Sequence, residues 1–241
     1  VQCLLSSPSA VSALTESPVH RSRFLSALQS LFVFMREEIA IQPTELYRTL
    51  PAHLASGGQR DPLEVLILAM NELPNCAFAR VFTGRTSTRR ESACKPSTVE
   101  HIAFNTINLP AFSQQGAAQA SPTSLSALLA SFSSPQPVFC KDCKTEHSRE
   151  HTTISAWPKS FVVHLMRYDG RLVDATTYVA RKSFQLVTYP AVLTPATGSP
   201  SYDLIGVVRH CGTEMNSGHF VAHTKEIDGT WWFANDSSVT V

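Results

Sequence analysis

Residues 217–240 read SGHFVAHTKEIDGTWWFANDSSVT. An alternating run follows His219, a second strand-like run covers Thr230–Ala234, and Asp228-Gly229 lies between them. Asp-Gly between two half-apolar runs is a strong hairpin signal, because both central positions of the tightest turn need φ > 0. His219 therefore enters one strand, and Asn235 leaves its neighbour. An imidazole facing a side-chain oxygen is the arrangement that nucleophilic catalysis uses to fix the tautomer and orientation of its base. A two-residue turn centred on Asp228-Gly229 would, however, set position 219 opposite 238. For Asn235 to reach His219, the ladder must carry a bulge or the loop must be longer.

Composition bounds the rest. At 241 residues and 43% hydrophobic, the chain can bury a sizeable core as one large domain or two small ones. Twenty Lys and Arg against nineteen Asp and Glu leave a net charge of +1, which argues against a bulk electrostatic grip on nucleic acid. No apolar run has the length of a membrane span, and no secretory signal pattern opens the chain. Localisation in the cytoplasm or nucleus is the expectation. Val1 begins inside a helical pattern, so an N-terminus cut rather than natural is expected too. Six cysteines (Cys3, Cys76, Cys94, Cys140, Cys143, Cys211) are too sparse for a disulfide scaffold. In a reducing compartment, Cys140-x-x-Cys143 reads as a metal or redox pair.

From the N-terminus, apolar residues in VQCLLSS predict a short helix ending before Pro8. Phe24, Leu25, Leu28, Leu31, Phe32, Phe34 and Met35 predict an amphipathic helix over 23–39. Gly57-Gly58 break the chain. Asp61, Pro62 and Glu64 then have the spacing of an N-cap, a first helical proline and a capping box, opening a helix that Pro74 stops. Thr86–Thr98 is polar and basic. His101–Leu109 alternates like a strand, Ser113–Thr123 is a flexible insertion, and Leu125–Phe132 is a short helix. Phe161–Arg167, Phe184–Tyr189 and Tyr202–Arg209 read as strands. Helices come mostly first and strands mostly last, which is the order of an α+β fold rather than of βαβ units.

Taken together, VQCLLSS, QRDPLEVL, VFTG, PKSFVVHLMRY, YDLIGVVRHCG, SGHF and WWFANDSSV resemble, in order and spacing, the sequence boxes of the ubiquitin-specific proteases. The likeness spans nearly all of the chain. Each box alone is a weak signal; their order is a specific one. The resemblance implies a single papain-like catalytic domain. Residues 1–80 would form its helical thumb, 81–160 reduced fingers with the insertion, and 161–241 a β-rich palm. VFTG would be the strand that leads into the fingers. Implied roles are His219 as general base, Asn235 as the residue that orients it, and Asp236 as a polar support. Gly218 and Phe220 would line the path of the substrate tail, and Asp61 and Glu64 would meet the basic C-terminal tail of ubiquitin. The nucleophilic cysteine and an oxyanion asparagine would precede Val1. Cys3 matches a non-catalytic cysteine of the first helix. Residues 1–241 would then be inactive alone.

Implied partners are ubiquitin and ubiquitinated proteins, with no nucleic acid and no membrane. Catalysis needs no cofactor. A structural zinc between finger strands would draw on Cys94, Cys140 and Cys143. Glu91 or Ser92 stands where a fourth cysteine belongs, and His101 or His147 could complete the set. The alternative is a degenerate site that folds without metal. A bland reading stands beside several of these residues: capping accounts for Asp61 and Glu64, a turn for Asn235-Asp236, and core packing for Trp231-Trp232-Phe233. His164, His210 and His223 read as structural. A non-catalytic ubiquitin-binding scaffold is the alternative function, and retention of His219 with Asn235-Asp236 favours the enzyme.

Overall fold

The computed structural model describes residues 2–16, 22–36, 42–55, 60–72, 77–92, 94–112, 121–172, 178–214 and 217–241. The ends predicted for the long helix (37–39), Gly57-Gly58 and most of the insertion at 113–120 lie outside them. The chain divides into two compact units, Val1–Val81 with Leu204–Val241, and Phe82–Asp203. As expected of an α+β order, the helices come mostly first and most sheets later.

The first unit opens with α1 (Gln2–Leu5) and α2 (Pro8–Thr15). The proline that stops α1 starts α2. Its fixed φ suits the first helical position, and the Ser7 hydroxyl accepts the Ala10 N–H. Next comes α3 (Arg23–Arg36), with Phe24, Leu25, Leu28, Leu31 and Phe32 buried along one face. That face meets α2, α4 (Thr44–Thr49) and α6 (Pro62–Glu72). Phe34, read from the sequence as part of the stripe, is exposed. Short α5 (Ala52–Ala55) adds Leu54 to the buried set. α7 (Ala77–Phe82) adds Phe78, Ala79 and Val81. VFTG is therefore not a strand: helix α7 runs through Phe82, and strand begins only at Gly84.

In the second unit, β1 (Gly84–Ser92), β2 (Lys95–Phe104), β5 (Gln136–Cys140) and β6 (Thr145–Ala156) form an antiparallel sheet in the order β2-β1-β6-β5. Gly84 is needed at its base. A Cβ there would stand 2.4 Å from the Phe104 ring and 2.8 Å from the Ala156 carbonyl. Residues 95–103 of β2 are all exposed, so this edge strand has no buried face to write an alternating pattern into the sequence. A break at Asn105-Thr106 divides the predicted strand 101–109 between β2 and β3 (Ile107–Pro110).

Pairing within this unit also includes two parallel contacts. β3 runs beside β7 (Val163–Met166), and β4 (Thr123–Ser124) beside β10 (Val187–Thr188). The strand expected over 184–189 shrinks to those two β10 residues. Between β4 and β5, α8 (Leu125–Phe132) is capped by the Ser124 hydroxyl, which accepts the Ala127 N–H. β8 (Tyr168–Leu172) pairs with β9 (Tyr178–Lys182), and β11 (Val192–Leu193) with β12 (Tyr202–Asp203). Ile107, Leu109, Leu129 and Leu193 form the core of the unit, with Phe104, Phe161 and Leu165 packed against it.

Back in the first unit, β13 (Gly206–Cys211), β14 (His219–Lys225), β15 (Trp231–Asn235) and β16 (Ser238–Thr240) make a meander in sequence order. The strand predicted over 202–209 is thus split between β12 and β13. α1 lies against β13 and β14, where Cys3 fills the space that a side chain at Gly206 would need. Among the described residues, no helix is long and apolar enough to cross a membrane.

Candidate active site and thiol cluster

The β14–β15 loop decides which face Asn235 presents. Expected register and observed register differ by one residue: Ala222 is opposite Ala234, His223 opposite Phe233 and Lys225 opposite Trp231. The Glu226 N–H donates to the Thr230 carbonyl and the Gly229 N–H to the Glu226 carbonyl. Three residues, Ile227, Asp228 and Gly229, therefore turn the chain. Gly229 has φ +94°, whereas Asp228 is not at positive φ and instead accepts the Thr230 N–H on its carboxylate. Continued along the ladder, this register sets 235 opposite 221, two residues from 219. His219 and Asn235 then share a sheet face as diagonal neighbours; the two-residue turn would have put them on opposite faces.

The outcome is a hydrogen bond of 2.6 Å between His219 Nε2 and Asn235 Oδ1. An amide oxygen only accepts, so Nε2 carries the proton and the lone pair of the neutral ring lies on Nδ1. Asp236 Oδ2 stands 3.8 Å from the same Nε2. Asp236 is held at φ +50° in the turn between β15 and β16, a hairpin that pairs Asn235 with Ser238. The His219 side chain remains 42% exposed, so the imidazole is anchored on one edge and accessible. As a unit this can take and return a proton at Nδ1 in a fixed orientation.

Gly218 has φ +146°, and a Cβ there would lie 2.3 Å from the Cys211 carbonyl and 2.4 Å from His210 Nε2. His210 packs against Phe220 with ring centroids 4.9 Å apart and the rings tilted by 47°. The sequence offered His210 only as a structural residue; its contact with Gly218 places it beside the backbone that delivers His219. Cys211 pairs directly with His219 across β13–β14, a thiol position that the strand pattern alone did not single out. Cys3 lies elsewhere, with its thiol toward the His223 carbonyl at 3.8 Å and pushed up by burial, so it is not poised as a nucleophile. His223 packs against Phe233 with the rings tilted by 40°, and His164 Nδ1 meets Asn108 Oδ1 at 3.1 Å. Asp61 accepts the Leu63 N–H at 2.9 Å at the start of α6, while Glu64 is exposed.

In the second unit, the ligand sulfurs of Cys94, Cys140 and Cys143 all lie within 4.8 Å of one another. Pairing of β1 with β6 brings the tips of two hairpins together: Ser92 pairs with Lys95 at one tip, and Cys140 with Thr145 at the other. Cys94 Sγ and Cys140 Sγ are 3.4 Å apart. The Cys140 thiol is pulled down to about 6, first by the Cys143 backbone and then by the Ser92 hydroxyl. Three sulfurs at these separations fit a zinc ion. His101 does not complete the set. It pairs with Ser87, five residues along β1 from Ser92, or roughly 16 Å at strand spacing. The His147 side chain is outside what the structure describes.

Comparison with known proteins bears on the whole chain. The family profile described as ubiquitin carboxyl-terminal hydrolase matches residues 1–241. The chain belongs to the ubiquitin carboxyl-terminal hydrolase family. Within it, ubiquitin carboxyl-terminal hydrolase 10 of Saccharomyces cerevisiae is 30% identical over 109 residues, 42% of this chain and 13% of that protein. Ubiquitin carboxyl-terminal hydrolase 15 of Homo sapiens is 33% identical over 115 residues, 43% of this chain and 11% of that protein. The match thus spans a small part of these larger relatives. Among solved structures, the Ubp8 SAGA DUB module bound to monoubiquitin superimposes with a TM-score of 0.77 at 22% identity, covering 99% of this chain and 61% of that one. The same module bound to ubiquitin aldehyde gives 0.77 at 20%, with the same coverage. The α+β fold of this hydrolase-family chain is therefore the ubiquitin-specific protease fold.

Proposed function

We propose that the chain carries the base half of a thiol-dependent deubiquitinase active site. The observation that supports this most directly is the 2.6 Å bond between His219 and Asn235 on a half-exposed imidazole. In this reading, His219 Nδ1 takes the proton of a cysteine thiol that precedes Val1 in the full protein. The thiolate attacks the carbonyl carbon of the C-terminal glycine of ubiquitin. The tetrahedral adduct collapses to a thioester as His219 returns the proton to the departing lysine amine. Water, deprotonated by His219, then attacks the thioester, releasing the ubiquitin carboxylate and restoring the thiol. Asn235 keeps the proton on Nε2 throughout and steadies the imidazolium, with Asp236 in support. Gly218 and Phe220 line the approach of the substrate tail; Asp61 and Glu64 supply negative charge for its basic residues. The chemistry needs no cofactor. A structural zinc held by Cys94, Cys140 and Cys143 ties the tips of the β-sheet.

The test is reaction of the full-length protein with a ubiquitin bearing a C-terminal electrophile, alongside hydrolysis of a ubiquitin C-terminal amide. His219→Ala should lower hydrolysis by about 10⁴-fold or more. Asn235→Ala should lower it by roughly 10²-fold, because Asp236 remains nearby, and Asn235→Asp should retain most of it. Tight ubiquitin binding with no covalent adduct and no turnover would assign the scaffold function instead.

A further inference from the structure

We propose that Ser92 supplies the fourth corner of the zinc site, making it a site of three thiolates and one hydroxyl. This rests on the zinc reading above and concerns the donor set alone. Zn–S bonds of about 2.3 Å and Zn–O bonds of about 2.0 Å imply tetrahedral edges of roughly 3.8 Å between sulfurs and roughly 3.5 Å between oxygen and sulfur. Ser92 Oγ lies 3.2 Å from Cys94 Sγ and 3.5 Å from Cys140 Sγ, while those sulfurs are 3.4 Å apart. The hydroxyl is thus already at edge distance from two of the thiols.

Among the described residues, the two nearby carboxylates are engaged elsewhere. Glu91 pairs with Arg89 at 2.8 Å. The Asp142 carboxylate is held by the Lys95 ammonium, and its Oδ2 is 3.9 Å from Cys140 Sγ, beyond an oxygen–sulfur edge. The fold explains why a serine can serve. Ser92 is the last residue of β1, and the register shift between Arg90 and Ser92 resets the strand just before the tip. A hydroxyl is a neutral and weaker donor than a thiolate. Three thiolates leave the zinc complex at charge −1, where four would leave −2. The fourth corner is therefore the exchangeable one.

Cobalt substitution of the full-length protein reads the donor set directly, with zinc content by mass spectrometry and affinity by chelator competition. Wild type should bind one ion with a tetrahedral ligand-field spectrum and charge transfer from three thiolates. Ser92→Ala should shift the ligand-field bands as water replaces the hydroxyl. Ser92→Cys should raise thiolate charge transfer by about a third and tighten zinc binding about tenfold or more. Asp142→Asn and His147→Ala should leave the spectrum unchanged. A spectrum altered by either of those two but not by Ser92→Ala would overturn the assignment. Absence of bound metal in both wild type and Ser92→Cys would overturn it together with the zinc reading. Neither result touches the hydrolase reading, which the ubiquitin electrophile tests separately.

Discussion

At the candidate active site a single hydrogen bond, from His219 Nε2 to Asn235 Oδ1, holds the imidazole, and a glycine precedes it. Gly218 precedes His219 at φ +146°, with the Cys211 carbonyl and the His210 ring where a side chain would go. Gly218→Ala meets two separate obstacles. The His210 ring can move, but the Cys211 carbonyl belongs to the β13 backbone that pairs with His219. Gly218→Ala is therefore expected to cost about 1–3 kcal/mol in urea unfolding and to impair turnover. Adding His210→Ala should not restore either, since it removes only the movable obstacle. Restoration by that second change would show that the ring, not the carbonyl, sets the limit. The residue types of this site were legible in SGHF and in FANDSS. His210 was not, because its role is a contact across strands and leaves no local pattern.

At the scale of elements, the β14–β15 loop fixes the pairing on which the site depends. Asp-Gly suggested a two-residue turn, yet Ile227 joins it, 91% exposed, and shifts the register by one. The direct pairing of His223 with Phe233, rings 4.9 Å apart, belongs to this register. Local turn preference gave way to cross-strand pairing, a competition that a linear pattern does not display. Deleting Ile227 keeps Glu226 opposite Thr230 and leaves a two-residue Asp-Gly turn, so stability and turnover should both be retained. Gly229→Val places a β-branched residue at φ +94° and should destabilise by about 1–2 kcal/mol in thermal or urea unfolding. The Asp228 carboxyl is held below its ordinary range by the Thr230 backbone N–H. With the folded value depressed, its contribution is present above the unfolded value of about 3.9 and is lost as pH falls through the folded value. Protection of the Thr230 amide, relative to its intrinsic exchange rate at each pH, should fall across that acid range, and Asp228→Asn should remove the dependence. By contrast, α6 and α8 could be read directly, because Asp61 with Pro62 and Ser124 cap them locally.

For the whole molecule, the two units are held by different means, and this would separate their responses to removal of the proposed zinc. Phe32, Phe78, Leu14, Leu25, Leu28 and Met70 are fully buried in the first unit. Phe32→Ala should accordingly cost about 3–5 kcal/mol. Among the described residues, the sheet of β1, β2, β5 and β6 has no comparable face. Its ladder is joined by polar pairs, Thr88 with Thr152 at 2.9 Å and Arg90 with Glu150 at 2.5 Å. Exposed ion pairs of this kind are worth about 1 kcal/mol or less. The base of the sheet reaches apolar support through Phe104 and Ile154, which pack on the core of Ile107, Leu109, Leu129 and Leu193. The tips have the thiol cluster. Chelation should therefore loosen the sheet from its tips toward its base, because a bound metal stabilises only the residues that hold it and those they order. Hydrogen exchange after chelator treatment should rise over 88–100 and 136–150, rise less at 84–86 and 154–156, and leave α3 unchanged. Equal acceleration in α3 would mean that the metal stabilises the first unit as well, and that its apolar core is not sufficient alone.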